Sequence, residues 1–187
     1  MPNIDRAKIL IMATDGFEQS ELMVPLERLK EKGATVHIAT PTGEAIRGWD
    51  DGDWGQSVDA DLKISEVNNV DDYIALVLPG GQINPDVLRA DARAVALVRA
   101  FVTQGKIVAA ICHAPWLLIE ADVVEGREMT SYASIRTDLK NAGAHVVDKE
   151  VAVSKGIITS RSPEDLDAFI AKILEEIKEG PHARSGT

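Results

Sequence analysis

Apolar runs of strand length that alternate with amphipathic segments of helix length constrain this chain more than any other feature. KILIMAT (8–14), TVHIAT (35–40), YIALVLPGG (73–81) and KIVAAIC (106–112) are apolar almost throughout. A strand with one wet face alternates polar and apolar residues; a run without alternation belongs to a strand buried on both faces. Between and after them lie helical patterns. Residues 18–32 place Leu22, Leu26 and Leu29 on one face and close at Gly33. Residues 85–104 carry Val87, Leu88, Val95, Leu97, Val98, Phe101 and Val102, with Gly105 as the stop. A short helix follows Cys112, and another spans 134–142. HVVDKEVAVSKGIITS (145–160) predicts short strands turning at Lys155-Gly156, and Ser162-Pro163-Glu164 opens a last helix over 163–179. Strand–helix alternation with doubly buried strands means an α/β fold, a doubly wound parallel sheet between helical layers.

The pattern fits one domain over 1–179, with GPHARSGT (180–187) as a frayed tail and GEAIRGWDDGDWGQS (43–57) as a loop or insertion. In that loop, Asp50, Asp51 and Asp53 lack the ligand register and closing Glu of a calcium loop, so a solvated loop covering a pocket or a subunit contact is expected. The net charge of -10 argues against a nucleic-acid surface, which needs a basic face. No apolar run reaches membrane-spanning length, and the start MPNIDRAKILIMATDG lacks a secretory pattern. With a single cysteine unable to form an internal disulfide, a reducing, cytoplasmic setting is expected. No phosphate-binding glycine motif or zinc-type Cys/His cluster occurs, so neither cofactor nor metal is expected. His37 and His145 read as packed core or edge histidines.

In open α/β sheets, ligands bind beyond the carboxyl ends of the strands. Three segments end strands there: Asp15-Gly16-Phe17-Glu18, Gly80-Gly81 and Cys112-His113. A sharp strand-to-helix turn at Cys112 presents its side chain at the top of the sheet, and the following helix N-terminus lowers a thiol pKa. Free cysteine is also among the most buried residue types, so a packing role stands beside the nucleophilic one. Glu18 is equally readable as a first-turn helix acid, and Gly80-Gly81 as a plain turn.

AAICHAPWLL, TSYASIRTDLKNAGA and ITSRSPEDLDAF, with DGFEQSEL and LVLPGG ahead of them, resemble the signatures of the ThiJ/PfpI family, in order and across essentially the whole chain. The resemblance implies a flavodoxin-like fold, of the class I glutamine amidotransferase type. It further implies that Cys112 is the nucleophile on a strained elbow and that Glu18 sets a protonated carboxyl beside the sulfur. Gly81 and the residue-113 amide would form an oxyanion hole, with Gly80, Trp116 and Tyr132 around the pocket. His113 would act as base, oriented by an acid from a neighbouring subunit for which Asp86 is the nearest match; Asp86 also reads as a first-turn helix acid after Pro85. Consecutive side chains diverge, so His113 need not touch the sulfur. Neither His145 nor His182 begins the His-x-Glu that an amidotransferase of the related fold requires, which argues against that activity.

The function so implied is a stress-associated cysteine hydrolase acting on small carbonyl compounds, on glyoxal or methylglyoxal adducts, or on peptides, assembled as a homodimer or hexamer. Aldehyde chemistry ranks above proteolysis because a reactive carbonyl is the better electrophile. A redox sensor or holdase that uses oxidation of Cys112 is the rival from another class.

Overall fold

The computed structural model describes residues 4–180, so of the tail only Gly180 lies within the described residues. A seven-stranded sheet runs through the centre in the order β11-β12-β8-β7-β1-β3-β6, built from β1 (Lys8–Met12), β3 (Thr35–Thr40), β6 (Leu62–Lys63), β7 (Ala75–Leu78), β8 (Ile107–Ile111), β11 (Val151–Ser154) and β12 (Ile157–Ser160). All neighbours pair in parallel except β11 with β12, which turn back on each other at Lys155-Gly156. Alternate residues of each strand feed two cores. Leu10, Met12, Leu76, Leu78, Val108 and Ala110 face one side, while Ile9, Ile11, Ala75, Val77, Ile107 and Ala109 face the other.

Helices α1 (Gln19–Glu31) and α6 (Leu166–Glu179) cover the second face; α2 (Ile83–Arg89), α3 (Ala92–Thr103), α4 (Pro115–Glu120) and α5 (Arg136–Asn141) lie with the first. The helix expected over 85–104 is two helices. Asp91 breaks it, capping α3 by accepting from the Arg93 and Ala94 amides. A two-stranded ladder, β9 (Glu128–Met129) with β10 (His145–Val146), stands apart from the main sheet. No helix among the described residues is long and apolar enough to cross a membrane.

The segment 43–57 is not a loop. It forms an antiparallel hairpin, β4 (Ile46–Asp50) with β5 (Asp53–Val58), and β4 pairs with β2 (Phe17–Glu18). Trp49 and Trp54 meet edge to face across the hairpin, centroids 5.4 Å apart, which is the favoured aromatic geometry. The hairpin grips the turn after β1: Arg47 N donates to Asp15 Oδ1 at 2.7 Å, Gly16 N to Arg47 O at 2.8 Å and Gln56 N to Gln19 Oε1 at 2.6 Å. It thereby fixes the start of α1 over the carboxyl ends of β1 and β7. There the strand order reverses, because β3 lies on one side of β1 and β7 on the other.

Candidate active site

Cys112 leaves β8 with φ of +64°, one of four non-glycine residues with positive φ among those described. Asp51, Asp122 and Lys155 are exposed, whereas Cys112 is buried. A left-handed conformation at a side-chain-bearing residue costs on the order of 1–3 kcal/mol and survives only where its surroundings impose it. They do so here: the Cys112 N–H donates to Ser160 O at 3.1 Å and its carbonyl accepts from Tyr132 N at 2.9 Å. The elbow expected from KIVAAICHAP is present.

The carboxyl beside the sulfur is that of Glu21, not Glu18. Glu18 sits at the N-cap of α1, where its side chain accepts from the Glu21 N–H at 2.9 Å and from the Ser20 hydroxyl. Because α1 begins at Gln19, Glu21 falls on its buried stripe with Leu22, Pro25, Leu26 and Leu29. Glu21 is wholly buried; Oε2 accepts from Gly80 N at 2.8 Å, and the carboxyl hydrogen-bonds to Cys112. Its Oε1 has no nitrogen or oxygen partner. A carboxylate so placed is costly, so burial first, and the charge of Glu18 second, push its pKa from 4.5 to about 8. At neutral pH Glu21 is therefore a protonated acid. One sequence signal could have found it: an acid on the apolar stripe of a helix is out of place unless it has a task.

Gly80 and Gly81 are both required as glycine. A Cβ on Gly80 would come within 2.4 Å of Glu21 Oε2 and 2.6 Å of Cys112 Cβ. Gly81 has φ of +81° and faces the Gly16 carbonyl and Glu18 amide. This close approach aims the Gly81 N–H, together with the His113 N–H, at the sulfur. Burial, and then the Glu21 charge, raise the thiol pKa, while the two amides lower it. Protonation of Glu21 removes that charge and supplies a donor. Asn84, fully buried and unremarked in the sequence, ties the strand ends together: Oδ1 accepts from Thr14 N at 2.8 Å, and Nδ2 donates to Pro79 O at 2.9 Å and Gly80 O at 3.2 Å.

His113 does touch its neighbour, with Nδ1 3.1 Å from Cys112 Sγ. Its Nε2 lies 3.1 Å from Ser134 Oγ, a partner that the sequence did not suggest. Tyr132 stacks on the ring at 4.7 Å and Trp116 meets it edge-on at 5.2 Å, so both rings lie against His113. Trp116 is held in turn by Asp138 Oδ2, 2.9 Å from Nε1, and by Arg89 over its ring. Burial lowers the His113 pKa. Asp86 is exposed in the first turn of α2, and the hydrogen bonds recorded for the His113 ring among the described residues go to Cys112 and Ser134. His37 bonds the Tyr73 hydroxyl at 2.9 Å, and His145 is an exposed residue of β10. No cluster of three metal-ligating side chains occurs among the described residues.

A buried thiol on a strained turn, two amides aimed at it, a protonated acid and a neutral imidazole can together perform nucleophilic attack on a carbonyl carbon. Comparison with known proteins agrees with that chemistry. Residues 7–176 match the model of the DJ-1/PfpI family. A deglycase of Thermococcus kodakarensis is 43% identical over 171 residues, covering 91% of this chain and 99% of its own. General stress protein 18 of Bacillus subtilis is 46% identical over 164 residues, covering 87% and 92%. Among solved structures, Drosophila melanogaster DJ-1beta superposes with a TM-score of 0.83 at 29% identity, covering 91% of this chain and 90% of that one.

Proposed function

From the premise that this chain belongs to the DJ-1/PfpI family, we propose that it is a stress-associated, cysteine-dependent hydrolase that acts on methylglyoxal- and glyoxal-type carbonyls and their adducts with amines. The observation that carries this reading is the convergence on the Cys112 sulfur of the Gly81 and His113 amides, the Glu21 carboxyl and His113 Nδ1. Sγ attacks the aldehyde carbon, and the oxygen that gains the electron pair is received by the two amides. Glu21 stays protonated and donates to sulfur, which favours the thiolate where burial alone would suppress it. His113, neutral because of its burial, takes the thiol proton through Nδ1 and returns it. The hemithioacetal so formed passes its C1–H proton to C2 by way of an enediol, with His113 taking and returning it, which leaves a lactoyl thioester. Water then breaks the C–S bond and restores the thiol, so methylglyoxal and one water become lactate. In an amine adduct the sulfur first displaces the amine, which leaves with a proton, and the same steps follow.

The proposal includes a cytoplasmic location, which suits a lone reduced thiol, and a homo-oligomer, dimer or hexamer. Ile83 and Val87, one turn apart on α2, are 40% and 48% exposed and offer an apolar contact. The test is consumption of methylglyoxal without added glutathione by the wild type and Cys112→Ala, with lactate as the product. Turnover by the wild type alone supports the reading. Inert wild type would sink it for this substrate and move peptide hydrolysis or oxidation sensing ahead of it.

A further inference from the structure

We infer that Ser134 is a positioning residue for His113, its hydroxyl holding Nε2 while Nδ1 meets the Cys112 thiol. The inference rests on the hydrolase reading above and adds the group that orients its base.

Three observations meet at this residue. The two ring nitrogens of His113 have one partner each, Cys112 Sγ on Nδ1 and Ser134 Oγ on Nε2, both at 3.1 Å. Tyr132 and Trp116 then hold the ring plane from a face and an edge, so hydrogen bonds and packing specify one orientation together. The segment bearing Ser134 is also tied to the elbow it serves. Tyr132 N donates to Cys112 O at 2.9 Å, Ile135 N to Tyr132 O at 3.2 Å, and Thr130 N to Thr159 Oγ1 at 2.9 Å. Ser134 and Cys112, 22 positions apart in sequence, are thus linked through the backbone of Tyr132.

The chemistry follows from the proton count. A neutral imidazole carries one N–H and one lone pair. A thiol that is mostly protonated donates to Nδ1, so the N–H of His113 lies on Nε2 and Ser134 Oγ accepts it. When Nδ1 takes the thiol proton, the hydroxyl keeps accepting from Nε2–H but adds no charge. A carboxylate at that place would stabilise the imidazolium and raise the pKa of His113. A hydroxyl orients the ring and leaves it easily deprotonated, which suits a base that must return its proton in each turnover.

The test compares Ser134→Ala and Ser134→Thr with the wild type by long-range nitrogen–proton NMR of His113 and by methylglyoxal kinetics. Ser134 is exposed, so its replacement leaves folding intact, and water partly replaces the lost hydroxyl. The expectation for Ser134→Ala is a loss of the Nε2–H tautomer preference and a fall in kcat of about three- to tenfold at unchanged KM. Ser134→Thr should restore both. An unchanged tautomer in Ser134→Ala overturns the inference. The NMR arm needs no turnover. An inert wild type whose tautomer still depends on Ser134 condemns the hydrolase reading and leaves the positioning intact.

Discussion

Glu21→Gln isolates the electrostatics of the site. In the unfolded chain this carboxyl titrates near 4.5; in the folded protein it titrates near 8. Between those values the unfolded chain has released a proton that the folded chain retains, so the unfolded state binds fewer protons and stability falls as pH rises. The sign is opposite to that of a salt-bridged acid. The slope is about 1.4 kcal/mol per pH unit, and the full window from 4.5 to about 8 amounts to about 5 kcal/mol, less whatever water entering beside the ionised group recovers. Gln keeps an acceptor for the Gly80 N–H and cannot ionise, so the variant lacks this slope. The assay is urea unfolding of both proteins at several pH values from about 5 to about 8.5. Glu21→Gln should gain stability relative to the wild type steadily across that range, while methylglyoxal turnover falls because an amide donates to sulfur more weakly than an acid. Glu18→Gln is the control: it removes the second cause of the rise and leaves burial, so the slope persists over a narrower window. A stability difference between Glu21→Gln and wild type that does not change with pH would refute the reasoning, because Glu21 would then be ionised in the fold.

Gly80→Ala forces a Cβ to within 2.4 Å of the Glu21 carboxyl and 2.6 Å of Cys112 Cβ, and should cost about 1–3 kcal/mol in denaturant melts and most of the turnover. Asn84→Ala leaves the Thr14 N–H and the Pro79 and Gly80 carbonyls without their side-chain partner. It should lower stability by about 2–4 kcal/mol, with a larger fractional loss of kcat than of fold, read by kinetics at a temperature where the variant stays folded.

The parallel sheet could be read from the chain because doubly buried strands leave no alternation, and YIALVLPGG and KIVAAIC have none. The elbow at Cys112 was legible for a similar local reason: an apolar strand running straight into His-Ala-Pro must turn within a residue or two. The hairpin at 46–58 was hidden by its composition. Gly, Asp and Trp give a weak strand signal, and the pairing that stabilises it comes from Phe17–Glu18, about thirty residues earlier. Glu18 and Glu21 show where sequence runs out. Both stand in DGFEQSEL, three residues apart, and either spacing is compatible with a carboxyl near the sulfur. The choice was made by the first helical residue of α1, which set one acid at the cap and turned the other inward. Ser134 lay further still from any local pattern, since nothing within TSYASIR predicts that its hydroxyl meets an imidazole 21 residues earlier. The sequence by itself determined the layers, the strand ends and the thiol, all of which depend on neighbours along the chain. Only the tertiary structure decided which acid, which amides and which hydroxyl surround that thiol, because those contacts are fixed by the order in which strands pair.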